Sequence, residues 1–152
     1  MAEINAEVHE GGCLCGAVRY RVEGQPDEIQ GVGICHCTFC KRRTGSAFGV
    51  GAYFPNTSVK IISGELKTYE YRSDETGRWL RMEFCPTCGT TVTWIGEWSP
   101  GLRAIGLGTF DDPDWVKPKW AVFARSAVQW VVHPKDMEIC ETDVVRSKAA
   151  DG

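Results

Sequence analysis

Three thiols fall within six residues in the stretch Cys35-His36-Cys37-Thr38-Phe39-Cys40. Thiolates spaced two and three apart converge on one small soft cation without distorting the backbone. Zinc is the cation such ligands select. Three protein ligands leave one tetrahedral position open. That is the arrangement of a zinc that binds and activates a substrate, whereas four protein ligands close a structural site. A second metal-type spacing is Cys85-Pro86-Thr87-Cys88-Gly89. Pro86 presets a tight turn, and Gly89 permits the positive φ that lets N–H groups point at the sulfurs. A third is Gly12-Cys13-Leu14-Cys15-Gly16, read as an extended segment with both thiols on one face.

With Cys140 set aside, these seven cysteines divide naturally into a closed set of four and an open set of three. Spacing leaves two divisions open. Cys37/Cys40 with Cys85/Cys88 would make a ribbon-like site. The more economical choice keeps Cys35, Cys37 and Cys40 together and joins Cys13/Cys15 to Cys85/Cys88. Arg42, Arg43 and Ser46 follow the open trio closely, and arginine suits carboxylate recognition. They are candidate substrate contacts, against the plain alternative of a solvated turn. His36, lying between two ligands, is read as a loop or supporting histidine. His9 and His133 are read as surface residues, and Cys140 as an inert thiol.

The elements that must position these thiols are short strands. Alternation or apolar runs predict them at 17–22, 29–34, 47–54, 59–62, 67–72, 78–84, 90–94, 102–107, 120–124 and 128–132. Glycine, proline and polar turns separate them, and a single helical turn is expected near 41–46. The fold class is therefore mostly β. The 152 residues suit one domain, placed at 11–140 between a loose leader, 1–10, and a polar tail, 141–152.

A hydrophobic content of 43% and a net charge of −3 fit a globular protein and argue against a nucleic-acid partner. No apolar run reaches the ~20 residues needed to span a bilayer. A soluble, cytoplasmic protein is expected, and there eight cysteines point to metal or catalysis more than to disulfides. No dinucleotide or phosphate-cradling fingerprint is visible.

The three cysteine motifs, together with Gly45-Ser46, Gly108-Thr109-Phe110-Asp111-Asp112-Pro113 and Lys117-Pro118, resemble the glutathione-dependent formaldehyde-activating enzyme family over residues 9 to 132. The resemblance implies an Mss4-like domain of short antiparallel strands and hairpins organised around zinc. It implies a structural zinc on Cys13, Cys15, Cys85 and Cys88 and a catalytic zinc on Cys35, Cys37 and Cys40, the second more labile. The implied activity is that of a carbon–sulfur lyase or synthase joining a thiol such as glutathione to an aldehyde such as formaldehyde. The family often carries a histidine where Ala121 stands here. The competing reading is a non-catalytic zinc-stabilised binding module, or a carrier of thiol or aldehyde. The thiol, the aldehyde and the oligomeric state are not legible.

Overall fold

The structure, a computed structural model, describes residues 7–143. The expected leader through residue 6 and the tail from 144 onward lie outside the described residues. The fold is mostly β, with eleven strands and one α-helix among the described residues. Strands β1 (Val8–Gly12), β2 (Arg19–Glu23) and β5 (Val59–Ser63) form a three-stranded antiparallel sheet in the order β1-β2-β5. The larger sheet has eight strands. Those not yet named are β3 (Val32–Cys35), β4 (Gly49–Pro55), β6 (Lys67–Arg72), β7 (Trp79–Phe84), β8 (Thr91–Gly96), β9 (Leu102–Gly106), β10 (Trp120–Val122) and β11 (Glu138–Ile139). Their order is β11-β10-β3-β4-β9-β8-β7-β6. Pairing is antiparallel except where β10 runs parallel to β3 and β11.

Side-chain alternation places two apolar clusters on opposite faces of the large sheet. From β4, Ala52 and Phe54 enter one cluster and Tyr53 the other; from β9, Ile105 and Ala104 divide the same way. The first cluster includes Val18, Tyr20 and Val22 of the small sheet, and also Cys13 and Cys85. Its tie to β1 is the bridge from Gly11 to Phe110, beside which the Tyr20 hydroxyl and Thr109 Oγ1 lie 2.8 Å apart. The second cluster holds Trp94, Trp120, Val122 and Phe123, with Cys35, Cys37 and Phe39 packed against it.

Four expectations are corrected. Residues 8–10 belong to β1, because their backbone completes an antiparallel ladder with β2. Residues 13–16 form a tight turn, Gly16 N–H donating to Cys13 O, rather than an extended segment. The apolar run 128–132 is not a strand: Val131 N–H bonds back to Val128 O, and Trp130 and Val132 lie exposed with no ladder to join. The start of the tail is held, since Phe123 N–H donates to Thr142 O and Arg78 pairs with Asp143.

Gly33 of β3 is required by a close approach. A Cβ built there would lie 2.1 Å from the Trp120 indole. Gly33→Ala should therefore push this ring off the strand and cost about 1–3 kcal/mol. A lowered Tm with a shifted tryptophan emission is the expected result; an unchanged Tm would contradict the packing.

Candidate metal centres and the adjoining cavity

The β7–β8 hairpin presents Cys85 and Cys88 in its turn. Cys85 N–H donates to Thr90 O, and Gly89 N–H to Cys85 O, with Gly89 at φ 80°. The turn that follows β1 presents Cys13 and Cys15. Their four Sγ atoms lie within 4.8 Å of one another. Cys13 and Cys15 Sγ are 3.6 Å apart, and Cys15 and Cys85 Sγ 3.8 Å. Four sulfurs at about 2.3 Å from a tetrahedral zinc would stand about 3.8 Å apart, so the residues present fit that ion. Val18 N–H and Thr87 N–H donate to Cys13 and Cys85 Sγ, as backbone amides do toward ligating thiolates.

Thr90 joins the two halves of this quartet. Its Oγ1 accepts from Leu14 N–H at 3.1 Å and lies 3.2 Å from Cys88 Sγ. Hydrogen bonds from the Thr90 hydroxyl and backbone hold the Cys88 thiol down to about 5. The sequence reading missed Thr90; its place two residues after Cys88 is the signal that could have found it.

Cys35, Cys37 and Cys40 form the second cluster, again with Sγ atoms within 4.8 Å of one another. Strand β3 ends on Cys35, paired with Val122 of β10. The chain then enters helix α1 (Thr38–Thr44) with Cys37 as its N-cap, Cys37 Sγ accepting from Cys40 N–H at 3.3 Å. Cys40 lies in the first turn, so the cap and the helical rise fold the third sulfur back toward the other two. The helix starts three residues earlier than expected because a thiol can cap it. It ends at Gly45, whose N–H donates to Lys41 O.

Three thiols this close cannot all ionise unaided. Cys37 and Cys40 push the Cys35 thiol well up. Cys40 is held well down by hydrogen bonds from Cys35 and Cys37, and further by the Arg43 guanidinium. A divalent cation among the sulfurs removes this conflict, so the donor set fits zinc. Neither His36 nor Cys140 joins the trio. His36 is fully buried and its Nε2 lies 2.7 Å from Nε2 of His133. His133 is thus half-buried and partnered, not the surface residue expected, and His9 is stacked on Trp115. Cys140 is buried, its N–H donating to Ala121 O.

The trio borders a cavity of about 720 Å³. Phe39 stacks on Tyr71 at 4.0 Å between ring centroids, and Arg43 lies over Trp94 at 4.1 Å. Arg42 and Arg43 line this cavity, whereas Ser46 lies on a separate depression of about 540 Å³ beside Gly89 and Thr109. Ala121, the position at which the resemblance implies a histidine, is fully buried in β10, while its neighbour Trp120 lines the cavity. Tyr53 also lines it; burial pushes its phenol up to about 12, so it is no base at neutral pH. None of the four quartet cysteines borders this cavity.

A family model described as glutathione-dependent formaldehyde-activating enzyme matches residues 8–126. A Penicillium rubens protein provisionally named as such an enzyme is 26% identical over 117 residues, 75% of this chain. The match takes in 57% of that relative, so the chain spans little more than half its length. A Colletotrichum graminicola protein with the same provisional name is 28% identical over 142 residues, covering 88% of this chain and 70% of its own. The crystal structure of a Rhodobacter sphaeroides protein superposes with a TM-score of 0.53 at 21% identity, covering 86% of this chain and 98% of that one. At that identity the likeness speaks for the fold alone. No helix among the described residues is long and apolar enough to cross a membrane.

Proposed function

The chain belongs to the glutathione-dependent formaldehyde-activating enzyme family, and on that premise we propose that it joins and splits thiol–aldehyde adducts at the Cys35/Cys37/Cys40 cluster. One observation carries the reading. The three-thiol cluster borders the large cavity, while the four-thiol cluster sits away from it with Cys13 and Cys85 in the apolar core. A closed set of four suits a structural zinc, and an open set of three suits a catalytic one.

Zinc in the trio, when bound, supplies positive charge that favours the thiolate form of an incoming thiol and polarises a carbonyl oxygen. The chain's own residues hold and orient the reactants. Arg42 is exposed at the rim, where its guanidinium can take a carboxylate of glutathione. Arg43 lies 4.0 Å from Cys40 Sγ and lends its charge to the thiols. Phe39, Tyr71 and Trp120 give the cavity an apolar side against which the carbonyl carbon can lie. In the forward direction a C–S bond forms, the C=O π bond breaks, and the thiol proton ends on the new hydroxyl. The product with glutathione and formaldehyde is S-hydroxymethylglutathione, and no redox partner is required. All eight cysteines are free thiols. That suits a reducing compartment, and we place the protein in the cytoplasm.

Thiols and formaldehyde also combine without a catalyst, so the test must measure exchange rather than yield. Exchange NMR on an equilibrated mixture of glutathione and formaldehyde should show adduct turnover at least ~tenfold faster with the zinc-loaded protein than without it. Equal rates would contradict the reading.

A further inference from the structure

We propose that the cavity beside the trio is built for an aldehyde carrying an aromatic ring, not for formaldehyde alone. This deepens the function proposed above and rests on it. Formaldehyde has two heavy atoms, the bulk of one or two waters at about 30 Å³ each. The cavity is about 720 Å³. Glutathione would fill part of it, but glutathione is a polar peptide that needs partners for two carboxylates, an ammonium and its amides. The cavity has some polar groups, Thr38, Ser73, Asp74 and Thr76 among them, but most of its lining is apolar, carried by the rings of Phe39, Tyr71, Trp94, Trp98, Trp120 and Phe123. Such a wall gains little from a one-carbon aldehyde and much from an apolar ring, through buried area and offset or edge contacts.

The charges are arranged to match. Arg43 is engaged with the Trp94 face and Cys40 Sγ. Arg78 is paired with Asp143, and Glu75 accepts from Arg125 at 2.9 Å. Arg42, exposed at the rim, is the guanidinium left for a carboxylate. A peptide thiol therefore fits with its charged ends at the rim and its sulfur at the trio, leaving the aromatic wall to the substituent on the aldehyde carbon. Two of these rings are stacked beside the trio. Phe39 lies on α1 between Thr38 and Cys40, and it meets Tyr71 of the edge strand β6 at an interplanar angle of 15°. A ring in the cavity would continue that stack. The reaction is unchanged in kind: the sulfur bonds to the aldehyde carbon, and the thiol proton goes to the former carbonyl oxygen.

The test uses full-length, zinc-loaded protein and two non-reacting probes, S-benzylglutathione and S-methylglutathione, followed by tryptophan fluorescence. S-benzylglutathione should quench saturably and bind at least ~tenfold tighter than S-methylglutathione. Trp98→Ala should remove most of that preference, and Phe39→Ala should reduce it about fivefold, each variant first shown folded by circular dichroism. The same protein is then assayed by exchange NMR with glutathione and either phenylacetaldehyde or formaldehyde, and the larger acceleration over the uncatalysed rate should be that of phenylacetaldehyde. Equal affinity for the two probes would overturn the inference even if formaldehyde exchange is accelerated, which leaves the proposed function standing. A clear preference for the benzyl probe without acceleration of either aldehyde would instead overturn the proposed function and keep the ring-binding wall.

Discussion

Cys88→Ser is expected to unfold the protein at a temperature at least ~10 °C below that of the parent. A four-thiolate zinc contributes on the order of 10 kcal/mol to the folded state, as much as the whole net stability of an ordinary domain. Replacing one thiolate by a hydroxyl surrenders much of that affinity, and a loss of several kcal/mol lowers Tm by about 2–4 °C per kcal/mol at this size. The damage should spread because Cys88 is not isolated. Its thiol leans on Thr90, Thr90 holds Leu14, and Leu14 lies between Cys13 and Cys15. Loss of one sulfur frees the β7–β8 turn and the turn after β1 together. A melting temperature within ~3 °C of the parent would show that the quartet does not carry the fold.

Cys37→Ser should do the opposite: it should abolish adduct exchange while moving Tm by only a few degrees. The sulfur of Cys37 caps helix α1 by accepting from Cys40 N–H. Serine is among the preferred N-cap residues, so its hydroxyl can take over the bond and the helix should survive. The trio, however, is left with two thiolates. Metal analysis should then find one zinc per chain rather than two, and exchange should fall to the uncatalysed rate. Retention of both zincs and of the rate in this variant would remove the trio from the reaction.

Much of this was legible in the sequence because it is local. The strands β2, β6 and β7 announce themselves by alternation, and the Cys-x-x-Cys of residues 85–88 sits where one strand delivers the chain and the next removes it. The family resemblance was equally local, carried by motifs a few residues long. What was hidden depends on residues far apart in the chain. Strand β10 is three residues long and finds β3 in parallel 87 residues upstream, a pairing no local pattern encodes. The run 128–132 is apolar enough for a strand but has no neighbour to pair with. His133 looked like a surface residue until folding brought it against His36, 97 positions earlier. The same applies to the cavity. Its rings come from α1, β4, β6, β8, β10 and the loops after β8 and β10, so six tryptophans could be counted but not assigned to the wall.

The quartet lies apart from the site proposed for the chemistry. Cys13 and Cys85 are buried among Val18, Tyr20 and Val92, in one apolar cluster. Cys35 and Cys37 of the trio pack against the other, where Trp94, Trp120 and Phe123 gather. The sheet lies between them, so stability and reactivity can be altered one at a time.

The most direct test of the account is a glutathione titration of protein carrying cobalt in the trio and zinc in the quartet, followed by absorption. If Cys35, Cys37 and Cys40 hold a metal with one open position, added glutathione should increase intensity in the thiolate charge-transfer region and saturate at one equivalent per site. Cys37→Ser should show no such change. A spectrum that glutathione leaves unaltered in the parent protein would mean that the site is already closed, and the carbon–sulfur chemistry proposed for it would fall.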